Sequence, residues 1–244
     1  MLVTHNKLGG RSYSVPDTDK YFQEILSKGP YQYQNLQRLL TLQPNPRHIV
    51  DVGVNLGQNI IEYAQHAKKV TGFEPTPDNY NHAQTTIQLN KQLYKNTQID
   101  FYQQALSNNM GTMKLATHKS NVGTNYLINN PTKNRDNWVD VAVTTLDSHN
   151  LEDVDIIKID VEGYELYVLQ GAEQTITKYR PIIQTEIRDS HCQRAGYTTQ
   201  ELQDWFNAHN YTRTLKNGTV VPGSIYQKLN KGDSFWVPNE RVVK

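Results

Sequence analysis

Cysteine is almost missing: Cys192 is the single one in 244 residues. One thiol cannot close an internal bridge, so a disulfide-stapled fold is excluded and a reducing, cytoplasmic setting is expected. Cys192 itself reads as a small, partly buried side chain, not a nucleophile. No apolar run approaches the ~18 residues of a membrane span. The start, Met1-Leu2-Val3-Thr4-His5-Asn6, lacks the basic-then-apolar layout of a signal peptide. No membrane partner is expected. An excess of one charge is absent too: 25 Lys and Arg face 24 Asp and Glu, a net charge of +1. That balance gives no general pull toward nucleic acid or an anionic surface. Repeats, low-complexity tracts and interdomain linkers are lacking, and the length suits one substantial core.

A Gly-x-Gly-x-x-Gly dinucleotide fingerprint is also wanting. In its place stands Ile49-Val50-Asp51-Val52-Gly53-Val54-Asn55-Leu56-Gly57-Gln58-Asn59. The apolar β-branched start suits a buried parallel strand. Two glycines follow, then Ile60, Ile61 and Ala64 at helical spacing. The stretch therefore reads strand, glycine turn, helix, with the turn at the carboxyl end of a strand, where open α/β sheets bind ligands. Asp51 would repel a pyrophosphate; a cation carrying no phosphate fits better, and S-adenosylmethionine is one. Val70-Thr71-Gly72-Phe73-Glu74 then ends in an acid roughly 20 residues past the turn, the offset at which a carboxylate can take both ribose hydroxyls. Asp51, Gly53, Asn55, Gly57 and Asn59 are the candidates for the methionine end and the turn. Glu74 is the candidate for the ribose, and Gln104 with Ala105 for the adenine.

Strands alternate with helices along the rest of the chain, which implies a parallel α/β sheet. Residues 1–30 read as an arm or lid with one short helix near Lys20 to Leu26, and residues 31–244 as the main domain. Tyr31 to Leu42 has Leu36, Leu39 and Leu40 on one helical face. Thr76-Pro77-Asp78 reads as a helix start with Thr76 as its cap. Ile99 to Gln103 is the third strand. Met113 to Ala116 and Val139 to Thr144 alternate like strands, and Asn121-Val122-Gly123-Thr124-Asn125 is a polar loop placed to overhang the site. Val154 to Asp160 is the fourth core strand, followed by one helix carrying Leu166, Leu169, Ala172, Ile176 and Tyr179. Pro181 to Ile187 is the fifth. Thr198-Thr199-Gln200-Glu201 is a capping box. Tyr211 to Leu215, a turn at Asn217-Gly218 and Ser234 to Val237 close the sheet.

A second constellation gathers at the ends of the fourth and fifth strands. Lys158, Asp160, Glu162 and Glu165 crowd the first, and Glu186, Asp189 and His191 the second. Asp160, at a strand tip, is the candidate base or substrate anchor, with Glu186 as partner and His191 in reserve. Lys158 reads equally as half of a structural ion pair, because a polar group at that depth needs a partner. Glu162 and Glu165 read as acids stabilised at a helix N-terminus, and His191 as an exposed loop residue. No resident metal is expected. Mg²⁺ held by oxygens of Asp160, Glu186 and Asp189 is the second-ranked arrangement.

These pieces together resemble the FkbM family of S-adenosylmethionine-dependent methyltransferases. The similarity spans about residues 47 to 240. It is carried by Val50 to Gly57, Phe73-Glu74-Pro75-Thr76-Pro77, Ala105-Leu106-Ser107 and Thr145-Leu146-Asp147. It continues in Ile157-Lys158-Ile159-Asp160-Val161-Glu162-Gly163-Tyr164-Glu165, Leu169-Gln170-Gly171-Ala172 and Pro181 to Glu186. The resemblance implies a Rossmann-like class I methyltransferase fold, a seven-stranded, mostly parallel sheet with helices on both faces. It also implies methyl transfer to oxygen, on a hydroxyl of a sugar, glycan or small hydroxylated metabolite. Gln104 stands where many methyltransferases place an acid toward the adenine. Two alternatives remain: a nucleic-acid methyltransferase acting on ribose oxygens, which the neutral charge disfavours, and a non-catalytic binding module on the same fold.

Overall fold

Short runs rich in Val and Ile, such as those at residues 48–52, 154–159 and 182–188, can bury both faces and supply the centre of a sheet. The computed structural model describes residues 2–5, 10–29, 31–118, 120–129, 137–214 and 231–242. In chain order its elements are β1 (Leu2–His5), β2 (Ser12–Val15), α1 (Lys20–Lys28), α2 (Tyr33–Leu42), β3 (His48–Val52), α3 (Ile60–Tyr63), β4 (Lys69–Phe73) and α4 (Pro77–Leu89). Next come β5 (Gln98–Tyr102), β6 (Ala105–Leu106), β7 (Gly111–Ala116), β8 (Tyr126–Ile128), β9 (Trp138–Thr144) and β10 (Val154–Ile159). The chain then runs through α5 (Glu165–Gln170), α6 (Glu173–Tyr179), β11 (Ile182–Arg188), α7 (Asp189–Ala195), α8 (Thr199–Ala208), β12 (Tyr211–Thr214) and β13 (Lys231–Pro238).

The main sheet has seven strands in the order β12-β13-β11-β10-β3-β4-β5. Pairings from β11 across to β5 are parallel, and β13 enters antiparallel between β11 and β12. Alternation along each strand sends side chains to two separate cores. Val50, Val52, Ile157, Ile159 and Ile183 pack with α5, α6 and α8 on one face. Ile49, Ile156, Ile182 and Val70 pack with α1 to α4 on the other. The expected α/β architecture with helices on both faces is present.

Several local expectations need correction. A second, four-stranded sheet, β6-β9-β7-β8, was not foreseen as a unit; its β7 and β9 are the two alternating runs, paired antiparallel with Met113 opposite Val141. The single helix expected after Gly163 is two. Asp147 donates its backbone N–H to the Gly171 carbonyl, and its carboxylate accepts from the N–H groups of Gln174 and Thr175, which starts α6 afresh. Thr76 occupies the cap position of α4 without a side-chain cap bond, its hydroxyl accepting instead from Asn125 at 3.3 Å. The Thr198–Glu201 capping box is formed as expected. The turn at Asn217-Gly218 lies outside the described residues.

The leader is sewn into the domain. β1 and β2 pair antiparallel, Arg11 makes a two-pronged contact with the Glu62 carboxylate at 2.6 and 2.8 Å, and Asn90 brackets the backbone of Ser12. Tyr13, Val15, Phe22 and Leu26 are buried in the core shared with Ile49 and Val54.

Where β3 and β10 pair, Asp51 stands opposite Lys158. The Lys158 ammonium lies 3.1 Å from the Asp51 carboxylate, donates to the Gly53 carbonyl at 2.7 Å, and is 3.8 Å from Asp160. Burial alone would lower its pKa; Asp51 and Asp160 outweigh burial and hold the ammonium above its ordinary value. Removing one partner of a buried pair strands the other charge, at a cost of about 3–5 kcal/mol. Lys158→Met should therefore lose about that much in urea unfolding, and adding Asp51→Asn should recover part of the loss. A Lys158→Met protein within about 1 kcal/mol of the parent would show that the pair has no such role.

Candidate active site

The turn after β3 is shaped by close approach. Gly53 has φ +84°, and a β-carbon there would lie 2.0 Å from the Asp160 carbonyl oxygen, so only glycine lets the tips of β3 and β10 touch. The N–H groups of Gly53 and Val54 both donate to the Phe73 carbonyl, which ties the turn to the end of β4. Asn55 is itself left-handed, φ +54°. Its backbone N–H donates to the Glu74 carboxylate at 2.9 Å, and the other Glu74 oxygen accepts from Thr76 N–H at 2.9 Å. The Thr76 hydroxyl bonds the same carboxylate. Burial pushes the Glu74 carboxyl up to about 7, against the lowering effect of those two amides.

Above these residues opens a cleft enclosing about 540 Å³. It is lined by Gly53, Asn55, Glu74, Gln104, Ala105 and Asp160, together with apolar side chains of β3, β4 and the small sheet, among them Val52, Phe73, Leu115 and Leu127. Val122, Gly123 and Asn125 of the overhanging loop form its roof. Among the described residues the lining carries three carboxyl groups, those of Glu74, Asp160 and Glu162, and no Lys, Arg or His. Two buried acceptor atoms on it, Gln104 Oε1 and Asn79 Oδ1, have no partner among the described residues. A second cavity of about 830 Å³ adjoins the first and shares Gly53, Asn55, Gly123, Asp160 and Glu162 with it. Its other walls include Tyr21, Phe22, Tyr31 and Gln32 from the leader and the start of α2, and Glu186, Arg188 and His191 from β11 and α7.

Not every candidate residue reaches a cavity. Asp51 is fully buried under the turn against Lys158 and lines neither space, so its place is structural, because a carboxylate at that depth needs the ammonium. Gly57 backs onto Ala83 of α4 and lines neither. Asn59 also lies outside both linings; its side chain donates to Gln32, which does line the second cavity. Asp189 accepts from the Thr199 hydroxyl at 2.9 Å and lines neither cavity, whereas Asp160 and Glu186 both line the second. His191 sits on α7, not in a loop, and is largely covered. Burial, then Arg194 and Arg188, lower its pKa to about 4.

Glu162 is the residue that sequence reasoning underrated. It faces both cavities, and its Oε2 lies 3.3 Å from His191 Nδ1. Burial, then the charges of Asp160, Glu186 and Glu165, push its carboxyl up to about 8. Glu186 is raised by burial and Asp160. Glu165 is structural, accepting from Val161 N–H, Gly163 N–H and the Tyr197 hydroxyl, with burial raising it to about 7.

These shifts set a pH profile. Folded Glu74, Glu165 and Glu162 hold their protons to about 7, 7 and 8, whereas the unfolded chain releases them near ~4.3. Between those values the folded state binds more protons, so stability falls as pH rises. Burial lowers His48, His82, His149 and His191, so below ~6.5 the unfolded chain binds more histidine protons and stability falls as pH drops. Above ~6.5 only the acids act. The Tm of the ligand-free protein should decline from about pH 6.5 to about pH 8.5; a Tm that rises over that range would mean the three acids titrate at ordinary values.

The family described as "Methyltransferase FkbM domain" matches residues 51–213. No curated protein sequence matches the chain. The crystal structure of methyltransferase FkbM from Methylobacillus flagellatus KT is 15% identical at a TM-score of 0.52, covering 92% of this chain and 48% of that one. The chain thus spans about half the length of that protein. An rRNA methylase from Streptococcus thermophilus is 9% identical at a TM-score of 0.47, covering 86% of this chain and 97% of that one. A Streptococcus mutans protein in complex with SAH is 10% identical at a TM-score of 0.47, covering 86% and 98%. Among the described residues, no helix is long and apolar enough to cross a membrane. With two thirds of its length matching the family, the chain belongs to the FkbM methyltransferase domain family.

Proposed function

We propose that the chain is an S-adenosylmethionine-dependent O-methyltransferase acting on a hydroxyl of a sugar, glycan or small hydroxylated metabolite. The observation that carries this is the lining of the first cleft: the carboxyl groups of Glu74, Asp160 and Glu162, two buried unpartnered acceptors and, among the described residues, no basic side chain. A pyrophosphate would find no cationic side chain among these residues. An adenosine bearing a sulfonium and an ammonium meets the opposite sign. Glu74 would accept from the ribose hydroxyls. Gln104 Oε1 would accept from the adenine amino group beside Ala105, and Asn55 with Gly53 would border the methionine end. When bound, the cofactor supplies a methyl already activated on a cationic sulfur.

The chain's own task is then alignment and proton removal. Asp160 borders both cavities, so it stands where an acceptor hydroxyl in the second would meet the methyl from the first. Glu162 shares that border, but with its carboxyl at about 8 it holds its proton at neutral pH. We therefore assign proton acceptance to Asp160, with Glu186 and His191 facing the same acceptor. Holding the partners in line can supply roughly 7–11 kcal/mol of such a barrier. The second cavity supports a polyhydroxylated acceptor: Tyr21, Phe22 and Tyr31 give an apolar wall, and Gln32, Gln58, Asn121 and the acids give hydrogen-bond partners. The same acids would repel a nucleic-acid backbone, which weighs against the ribose-methylating alternative.

Two variants test the assignments. Glu74→Gln should weaken S-adenosylhomocysteine binding in calorimetry by about tenfold or more, roughly 1.4 kcal/mol; unchanged affinity contradicts the ribose role. Asp160→Asn should bind the cofactor nearly as the parent does and lose turnover, by about 100- to 10,000-fold, on whichever glycoside of a hydroxylated panel the parent methylates. Retained turnover would place the base elsewhere.

A further inference from the structure

In the second cavity Glu186 and His191, which face the acceptor, also form a cluster with Glu162. Glu162 from the loop after β10, Glu186 from β11 and His191 from α7 each offer one ligand atom, and these atoms lie within 4.8 Å of one another. Two ligands of one ion bound at ~2.1 Å stand roughly 3–3.5 Å apart. The 3.3 Å between His191 Nδ1 and Glu162 Oε2 already has that spacing.

The cluster is built, not gathered by chance rotamers. Glu162 has φ +57°, a left-handed conformation that costs a non-glycine residue about 1–3 kcal/mol and persists only where the surroundings impose it. Here they do. Arg194 donates to the Glu162 carbonyl, and Glu165 gathers the N–H groups on either side of Glu162. Gly163 lies so close to the His191 backbone that a β-carbon would be 2.6 Å from its carbonyl oxygen. Glu162 and His191 are therefore fixed relative to each other.

Charge in the cavity is out of balance. Among the described residues that line it, Asp160, Glu162 and Glu186 meet one guanidinium, Arg188, which touches Glu186 at 2.7 Å with its own side chain 53% and that of Glu186 15% exposed, while Arg194 is held on the Glu162 carbonyl. Lys158 is committed to Asp51. The donor set selects among cations. Mg²⁺ and Ca²⁺ prefer all-oxygen shells, whereas an imidazole with two carboxylates suits Mn²⁺, Fe²⁺, Co²⁺ or Zn²⁺.

We propose that Glu162, Glu186 and His191 form a binding site for a divalent transition-metal cation of the Mn²⁺ or Zn²⁺ type, open to the second cavity. Three protein ligands leave coordination positions free toward that space, where the ion can polarise an acceptor hydroxyl beside Asp160. That role rests on the methyl-transfer reading; binding of the ion does not.

The test reads binding alone. Chelator-stripped full-length protein is titrated with Mn²⁺ and followed by the loss of the free-ion signal in electron paramagnetic resonance, with Zn²⁺ as competitor. One Mn²⁺ per chain, displaced by Zn²⁺, is expected. His191→Ala and Glu186→Gln should each weaken binding by about tenfold or more, while Asp189→Asn, a neighbouring carboxylate outside the cluster, should leave it unchanged. Calorimetry with S-adenosylhomocysteine checks that the variants stay folded and reports separately on the cofactor cleft. No bound Mn²⁺ or Zn²⁺, or equal binding in the parent and His191→Ala, overturns the site.

Discussion

The buried ammonium of Lys158 is the constraint on which the strand tips depend. It holds together the Asp51 carboxylate, the Gly53 carbonyl and, more loosely, the Asp160 carboxylate. Those groups come from the two central strands and the turn between strand and helix. A buried ion pair is not in itself a source of stability, since desolvation offsets much of the attraction. Its consequence here is positional. With Gly53 held against Asp160, the β3 turn and the β10 tip become one surface, and both cavities open from it.

Around that surface the chain places unlike chemistry on two sides. The first cleft is apolar with carboxylates at one end, and its roof is the loop around Val122. The second is polar and acidic, and its outer wall comes from the leader. One side chain joins these parts: Asp19, fully buried, accepts from Phe22 N–H and Val122 N–H, so the segment bearing Tyr21 and Phe22 is tied to the roof of the cofactor cleft. Residues 1–30 therefore contribute to the acceptor side of the proposed site as well as to the core. Displacing the leader would disturb both cavities at once.

Much of this was legible in the sequence where local pattern and tertiary role agree. The apolar run into Gly53 specifies a buried strand and a tight turn, and Glu74 falls at the end of the next strand, facing Asn55. The Thr198–Glu201 capping box needs only four residues to be recognised. What escaped depends on long-range contact. In a strand buried on both faces nothing local distinguishes an acid that meets ligand from one that meets lysine, so Asp51 looked like a cofactor contact. Glu162 was hidden by the generic preference of acids for helix N-termini; its left-handed backbone turns the side chain toward His191 instead, and only a glycine following a non-glycine turn residue hinted at that. His191 was misplaced because the polar run Arg188-Asp189-Ser190-His191 reads as a loop, whereas β11 passes directly into α7 there. The small sheet was missed as a unit because its paired strands, β7 and β9, are separated by more than twenty residues.

The most direct measurement is a crystal structure of the protein grown with S-adenosylhomocysteine. It should show the ribose hydroxyls on Glu74, the adenine amino group at Gln104 and the sulfur directed toward Asp160 and the second cavity. An empty first cleft at saturating ligand, or one that takes a phosphate-bearing nucleotide instead, would contradict the account.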